Sequence, residues 1–370
     1  MSATTGPASA VDFAVRRDDW RQCRFTSAPL PTTLRDGQVM FRVDRFALTA
    51  NNISYALTGD MLGYWRFFPA EDPWGRLPVM GFADVLRSGH PGVAEGERVF
   101  GFFPMSTHLV IEADEVSAPQ FLDGAPHRRD TALVYRQYMR CARDPLYAAA
   151  HEDALLLLRG LFFTSFLVDD FLADNSGFGA RAYVLSSASS KTAVALAFLL
   201  ARREAGRVIG LTSPRNRTFV ARLGCYDRVL AYSEVTTLDR DEPSVFVDHA
   251  GDGQVVNAVH THLGDNVRHS AVVGATHWDG GRPAKNLPGA APMFFFAPSQ
   301  FEKRQAEWGP TVFQERLGEA WGRFRTFSEE WMQIVRGHGQ ADVERTYREV
   351  LEGQAQPQQG HVLSLWDRDA

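Results

Sequence analysis

"LSSASSKTAVALAFLL", Leu185 to Leu200, lies at mid-chain and decides how the rest is read. The residues leading into it, "AYVLSS" (182–187), are apolar and β-prone, while those after Ser190 form an apolar run rich in Ala and Leu. A strand, a tight turn and a helix over 190–203 therefore follow one another directly. The turn is built from serines, and Ser190 is placed to cap the helix.

Downstream the same alternation continues. "RVIGLTS" (207–213) reads as a strand and "RNRTFVARLG" (215–224) as a helix ended by Gly224. "DRVLAY" (227–232), "SVFVDHA" (244–250) and "SAVVGATHW" (270–278) are further strands, with a helix near 253–264. Repeated strand–helix–strand units with apolar strands predict a parallel sheet covered by helices. Upstream, "HEDALLLLRGLFFTSFLVDDFL" (151–172) is apolar enough for one or two mostly buried helices. Before it the pattern differs: "QVMFRVDRFALT" (38–49) alternates apolar and polar residues, and "ERVFGFF" (97–103) and "HLVIEA" (108–113) read alike between Gly and Pro punctuation. A small antiparallel barrel or sandwich is expected there. In the tail, Val312, Phe313, Leu317, Trp321, Phe324, Trp331, Ile334 and Val335 fit one helical stripe. Val343, Tyr347, Val350 and Leu351 fit a second before Gly353.

Three readings meet at the serine turn. Ser190-Lys191-Thr192 echoes the end of a P-loop, but both glycine positions of that motif are filled, by Leu185 and Ser190. A dinucleotide turn fits the order of elements, with a pyrophosphate at the helix N-terminus. Ser187, Ser189, Ser190 and Thr192 would then add hydroxyls to the backbone amides, and Lys191 a positive charge. The plain alternative is an N-cap on a buried helix with Lys191 in solvent. After the second strand the chain reads Thr212-Ser213-Pro214-Arg215-Asn216-Arg217, with no carboxylate to bind ribose hydroxyls. Hydroxyls and guanidiniums there suit a 2′-phosphate, so NADP(H) is expected over NAD(H).

Composition narrows the classes. With 45% hydrophobic and 22% charged residues and a net charge of -5, the chain is globular, and no basic stripe points to nucleic acid. The three cysteines, Cys23, Cys141 and Cys225, are scattered, which excludes a disulfide framework and a Cys-rich zinc site. The N-terminus lacks a signal-like pattern and the longest apolar run, 193–201, is too short to span a bilayer, so a cytoplasmic protein without membrane partner is expected.

The order of elements resembles the medium-chain dehydrogenase/reductase superfamily, in its zinc-free quinone and enone reductase branch. "PVMGFADVLRSGHPGVAEGERVFGFFPMSTHLVI" (78–111), "ARLGCYDRVLAY" (221–232), "VFVDHAGDG" and "SAVVGATHW" carry that similarity. "LTANNISYALTGDML", "YWRFFPA", "SFLVDDF", "LSSASSKTA", "GLTSPRN" and "FFFAP" are similar to a bacterial family of unknown function within it. The resemblance implies an α/β fold: an N-terminal GroES-like β-barrel plus a Rossmann-type doubly wound parallel sheet, with C-terminal helices returning to the first domain. The domains implied are 1–150 with 312–370, carrying a helical insertion at 121–150, and 151–311 for the nucleotide. The zinc ligands of metal-dependent relatives have no counterpart here, so no metal is expected. The glycines of the superfamily turn are also gone from 186–192.

What the resemblance implies about chemistry is an NADP(H)-dependent, zinc-independent reduction of an activated C=C or C=O in a small, largely apolar substrate. Tyr55 would donate to the developing enolate and Asn52 would orient the carbonyl; equally, Tyr55 is a core aromatic and Asn52 a turn residue. His277, at the end of a buried strand, could serve as acid or base, and Trp65, Phe68 and Trp278 could wall the pocket. His151, His249, His260 and His262 have a weaker pattern. Phe294 to Phe296 would lie on a strand that pairs across a homodimer. The connection 121–150, with Tyr135, Tyr138, Arg140 and Tyr147, could form a lid or pack on the barrel. Two other readings remain: a lyase or hydrolase binding an acyl-CoA or another phosphorylated ligand, and a non-catalytic relative.

Overall fold

The computed structural model describes residues 9–61, 63–274 and 283–368. It divides into two compact units. One runs to Leu157 and takes in Gln333–Ala355 and the residues from Gln359; the other holds Leu158–Met332 and Gln356–Gln358. The expected boundaries at 150 and 311 therefore shift.

In the first unit a ring of antiparallel strands closes. Gln38–Leu48 pairs with Pro78–Ser88, which pairs with Arg98–Pro104. Gln137–Arg140, Gln120–Asp123 and His108–Asp114 follow, and the last returns to Gln38–Leu48. Closure leaves the ring no free edge, and period-two alternation turns Val39, Phe41 and Val43 into its core. The Phe41 ring lies 5.0 Å from Tyr138 and 5.6 Å from Phe103. The segment 121–150 is thus not a helical insertion. It supplies two ring strands, and its helical parts are short: the α-helix Leu133–Arg136, the 3-10 turn Cys141–Arg143 and the start of another, Ala149–His151. Gln359–Ser364 extends the sheet beside Gln38–Leu48, and Gln333–His338 runs parallel to it. Ile334 and Val335 sit on that strand, not on the tail helix expected for them.

In the second unit all strands are parallel, in the spatial order Arg228–Ala231, Arg207–Thr212, Ala182–Leu185, Ser244–Asp248, Val267–Val272 and Pro292–Phe294. This order reverses direction between Ala182–Leu185 and Ser244–Asp248, the switch point of a doubly wound sheet. Every residue of Ala182–Leu185 is buried, as a strand covered on both faces requires. The helix Ala297–Glu329 bends at Gly309-Pro310, where Gly309 takes φ 77°. Its Phe324 stacks on Phe162 at 5.0 Å and meets Phe198 at 5.6 Å, so this helix belongs to the second unit. Of the C-terminal helices only Gly339–Leu351 returns to the first unit, through Val343, Tyr347 and Val350.

Candidate functional site

At the switch point the chain leaves Ala182–Leu185 and enters the helix Lys191–Arg202 through five residues that hold one another. Ser190 caps the helix, its hydroxyl accepting from Ala193 N at 3.3 Å. Ser187 takes φ 48°, the left-handed conformation for which related turns use glycine. Two bonds hold it there: Ser190 N donates to its carbonyl at 2.7 Å, and Ser187 N donates to the Tyr232 hydroxyl at 3.1 Å. Ser186 is fully buried. Its hydroxyl donates to Asp248 Oδ1 at 2.5 Å and accepts from His249 N and Ala250 N at 2.8 and 3.0 Å. The demand for a small residue has moved to the next strand. A Cβ on Gly210 would lie 2.8 Å from Ala188 Cβ and 2.9 Å from the Tyr226 ring.

The neighbouring strand end is built differently. Thr212 is buried, and the Ser213 hydroxyl is buried without a hydrogen-bond partner among the described residues. Arg215 is exposed, and Arg217 pairs with Glu234 at 3.0 Å. Asn216 Nδ2 donates to Ser189 Oγ at 2.9 Å, tying the two turns together and leaving the Ser189 proton free to donate elsewhere. With the start of the helix, where Ala193 N is already taken by the Ser190 cap, these groups form a donor-rich edge suited to phosphate esters. A buried hydroxyl lacking a partner and a nearby guanidinium, with no carboxylate among 212–217, fit a 2′-phosphate.

Lys191 does not join that edge as expected. Its Nζ donates to the Pro357 carbonyl at 3.3 Å, and burial pushes its ammonium down to about 8. Asp248, Ser186 and Tyr232 are the residues that motif reading missed, although the "VFVDHAGDG" and "DRVLAY" strand ends marked two of them. Burial raises the Asp248 carboxyl, against the bonds from Ser186, Ala250 and Gly251 that favour its charge. His249 is buried and held neutral, pushed down to about 3. His260 is structural: its ring nitrogens meet the Pro288 carbonyl and the Ser270 hydroxyl at 2.9 and 3.0 Å. His277 and Trp278 lie outside the described residues.

In the first unit Tyr55 stands on the helix Ala50–Leu57, half-buried, its hydroxyl accepting from Asn51 Nδ2 at 3.0 Å. The Tyr64 ring is 4.6 Å away, and the Tyr64 and Tyr135 hydroxyls are 3.1 Å apart. Phe67, Phe102, Tyr64 and Tyr135 pack around the same point. Burial lifts the Tyr55 and Tyr64 phenols well above the ordinary value, so both stay protonated donors. Asn52 corrects its expected role. It is buried, its Oδ1 accepts from Thr49 N at 2.8 Å, and its Nδ2 donates to the Pro78 carbonyl at 2.9 Å. Buried to 5% exposure and tied to Thr49 and Pro78, Asn52 braces the helix start, and the exposed Asn51 is the one beside Tyr55. Trp65 and Phe68 are likewise buried, Trp65 between Gly59 and Gly75 and Phe68 under Arg128 at 4.8 Å. Phe68 is a packing residue, whereas Trp65 also lines a surface pocket with Arg17, Asp60, Arg66 and His127.

Residues 46–356 match a family described as "Protein of unknown function (DUF2855)". Comparison with curated protein sequences finds no match. Among solved structures, the chain is similar to a putative NADPH:quinone reductase from Mesorhizobium loti, 13% identical with a TM-score of 0.61, over 97% of this chain and 99% of that one. CurA from Vibrio vulnificus in complex with NADPH is 14% identical, TM-score 0.60, over 96% and 98%. A mutant enoyl thioester reductase from Candida tropicalis is 10% identical, TM-score 0.56, over 96% and 99%. Identities this low establish a shared fold, the GroES-like barrel and Rossmann-type sheet already described.

Proposed function

The chain belongs to that family of unknown function (DUF2855), and on its fold we propose that it is an NADP(H)-dependent oxidoreductase reducing an activated C=C or C=O without zinc. The observation that carries this reading is the second strand end, where the Ser213 hydroxyl is buried without a partner among the described residues, beside exposed Arg215, and where 212–217 contains no carboxylate. Ser213, Arg215 and Asn216 would hold the 2′-phosphate. Ser187, Ser189, Ser190 and Thr192, with the first-turn amides of the helix, would hold the pyrophosphate. NADPH, when bound, supplies a hydride. The chain supplies position and hydrogen bonds: Tyr55, kept protonated by burial, donates to the substrate's carbonyl oxygen as it gains charge, with the Tyr64 ring packed beside it. The aromatic surroundings of these phenols support a small, largely apolar substrate. Titration with NADPH, NADH, acetyl-CoA and ATP tests the reading. Saturable binding that prefers NADPH is expected, and binding of acetyl-CoA without NADPH would overturn it.

One observation favours a second reading. Ser187 N, an amide that a glycine turn would leave for a pyrophosphate, is taken by Tyr232. A non-redox enzyme holding an acyl-CoA or another phosphorylated ligand at the hydroxyl edge would need that amide less. The acetyl-CoA arm of the titration separates the two. Assembly as a homodimer is supported by the edge strand Pro292–Phe294, on which Met293 and Phe294 are 61% and 72% exposed. Phe294→Lys should shift a dimer towards monomer in sedimentation, with the wild type as reference.

A further inference from the structure

The connection between Gln120–Asp123 and Gln137–Arg140 contains a fully buried arginine, and a buried guanidinium persists only when several partners meet it. Arg128 Nη1 donates to Asp123 Oδ2 at 3.1 Å and to the Tyr138 hydroxyl at 2.8 Å, while Nη2 donates to the Tyr135 carbonyl. Its guanidinium also covers the Phe68 ring at 4.8 Å. Tyr138 passes the chain on by donating to the Phe102 carbonyl at 3.1 Å. The ion pair therefore fixes both ends of the stretch carrying Tyr135, and it grips Tyr135 by its own backbone.

The consequence is local and geometric. The Tyr135 ring packs 4.9 Å from Phe67 and 5.2 Å from Phe102, which brings its hydroxyl to the Tyr64 hydroxyl at 3.1 Å. Two phenols joined by one hydrogen bond use one of their two protons, so the pair retains a proton for a third atom. Tyr64 holds its proton tightly, through burial and its bond to Tyr135. Tyr135 is half-buried, and the adjoining Leu133 and Val134 are 49% and 55% exposed, an apolar surface beside the phenol. We propose that Tyr135 is a further substrate-contacting residue, whose hydroxyl donates to the substrate's carbonyl oxygen, and that Arg128 and Asp123 are its positioning pair. The proposal deepens the reductase reading and rests on it for the identity of the substrate oxygen.

The test uses 4-nitrophenol, a planar apolar molecule whose anion mimics an enolate oxygen and whose absorbance reports ionisation. Binding is measured on the full chain with and without NADP+, so that the role of Tyr135 is decided even if the chain takes no cofactor. The wild type is expected to bind the phenolate. Tyr135→Phe, which keeps the ring and removes only the hydroxyl, should weaken it about tenfold or more, with NADP+ affinity unchanged. Arg128→Gln should weaken it comparably. The double variant should lose no more than the larger single loss, because the arginine acts through the tyrosine. If Arg128→Gln does not fold, Tyr135→Phe decides alone. Wild-type affinity in Tyr135→Phe, or a wild type that binds no phenolate, overturns the role of Tyr135. Multiplying losses in the double variant overturn the positioning role. Loss of NADP(H) binding in the wild type, by contrast, sinks the reductase reading while the phenolate series stands by itself.

Discussion

Each unit buries a charged group beside its candidate site, but the two are compensated in different ways. In the barrel, Arg128 faces Asp123 at 3.1 Å, so opposite charges meet. In the parallel-sheet unit Asp248 makes no ion pair among the described residues, and is met by the Ser186 hydroxyl and the amides of Ala250 and Gly251. A charge pair with several hydrogen bonds locks geometry and is costly to break. A carboxylate held by dipoles is a softer arrangement, and burial already raises its pKa. The first suits a scaffold that must hold a hydroxyl in place; the second suits a turn that has lost its glycines and must be held closed by side chains.

The sharpest way to break this comparison is to remove one member of the charge pair. Arg128→Met leaves Asp123 buried without its charge partner, and should cost about 3–5 kcal/mol in urea denaturation. A cost near zero would mean the pair is not what locks the segment. On the other side, Ser186→Ala removes the hydroxyl that satisfies Asp248 and the amides of His249 and Ala250, and should cost about 1–3 kcal/mol by the same measurement. Arg215→Ala should weaken NADPH by about 1–3 kcal/mol without changing stability, since Arg215 is exposed.

The pH response sharpens the contrast. The native Asp248 carboxyl has a raised pKa, so it binds a proton more readily than in the unfolded chain. Its contribution to stability is therefore best at acid pH and falls as pH rises from the ordinary carboxylate value through the native one. Asp248→Asn should gain stability relative to wild type across that window, and a constant difference would disprove the cause. The smallest effect is expected at Lys191. Because its Nζ is turned to the Pro357 carbonyl, Lys191→Met should leave NADPH affinity unchanged in a fluorescence titration. Its native pKa of about 8 lies below the ordinary 10.5, so wild-type stability should rise between those values as pH increases, and Lys191→Met should not show that rise.

Legibility followed the range of the interactions. The strands and helices from 182 to 272 could be read because each carries its own period and its own stop signals, and a covered parallel strand is apolar throughout. The strand Gln359–Ser364 and the pairing of Gln120–Asp123 with Gln137–Arg140 escaped, because short strands are defined by partners far away in sequence. Among site residues, Ser213 and Arg215 were chosen for what they lack nearby, a carboxylate, and a sequence shows that directly. Asn52 and Phe68 were misjudged because a residue type does not say whether its polar atoms or faces are already used. Lys191 shows the same limit, since a charge placed by a turn can still point to a backbone carbonyl elsewhere in the fold.

By itself, then, the amino-acid order determined the strand–turn–helix alternation, the apolar faces and the replacement of glycine by serine at the turn. These are local properties of side-chain size, branching and hydrogen-bonding type. Only the tertiary structure decided that Ser187 is held at positive φ by Tyr232, that Asp248 lies against Ser186, and that Arg128 carries Tyr135 to Tyr64. Those contacts join residues distant along the chain. A hydrogen bond is specified by distance and direction, which exist only once the chain has packed.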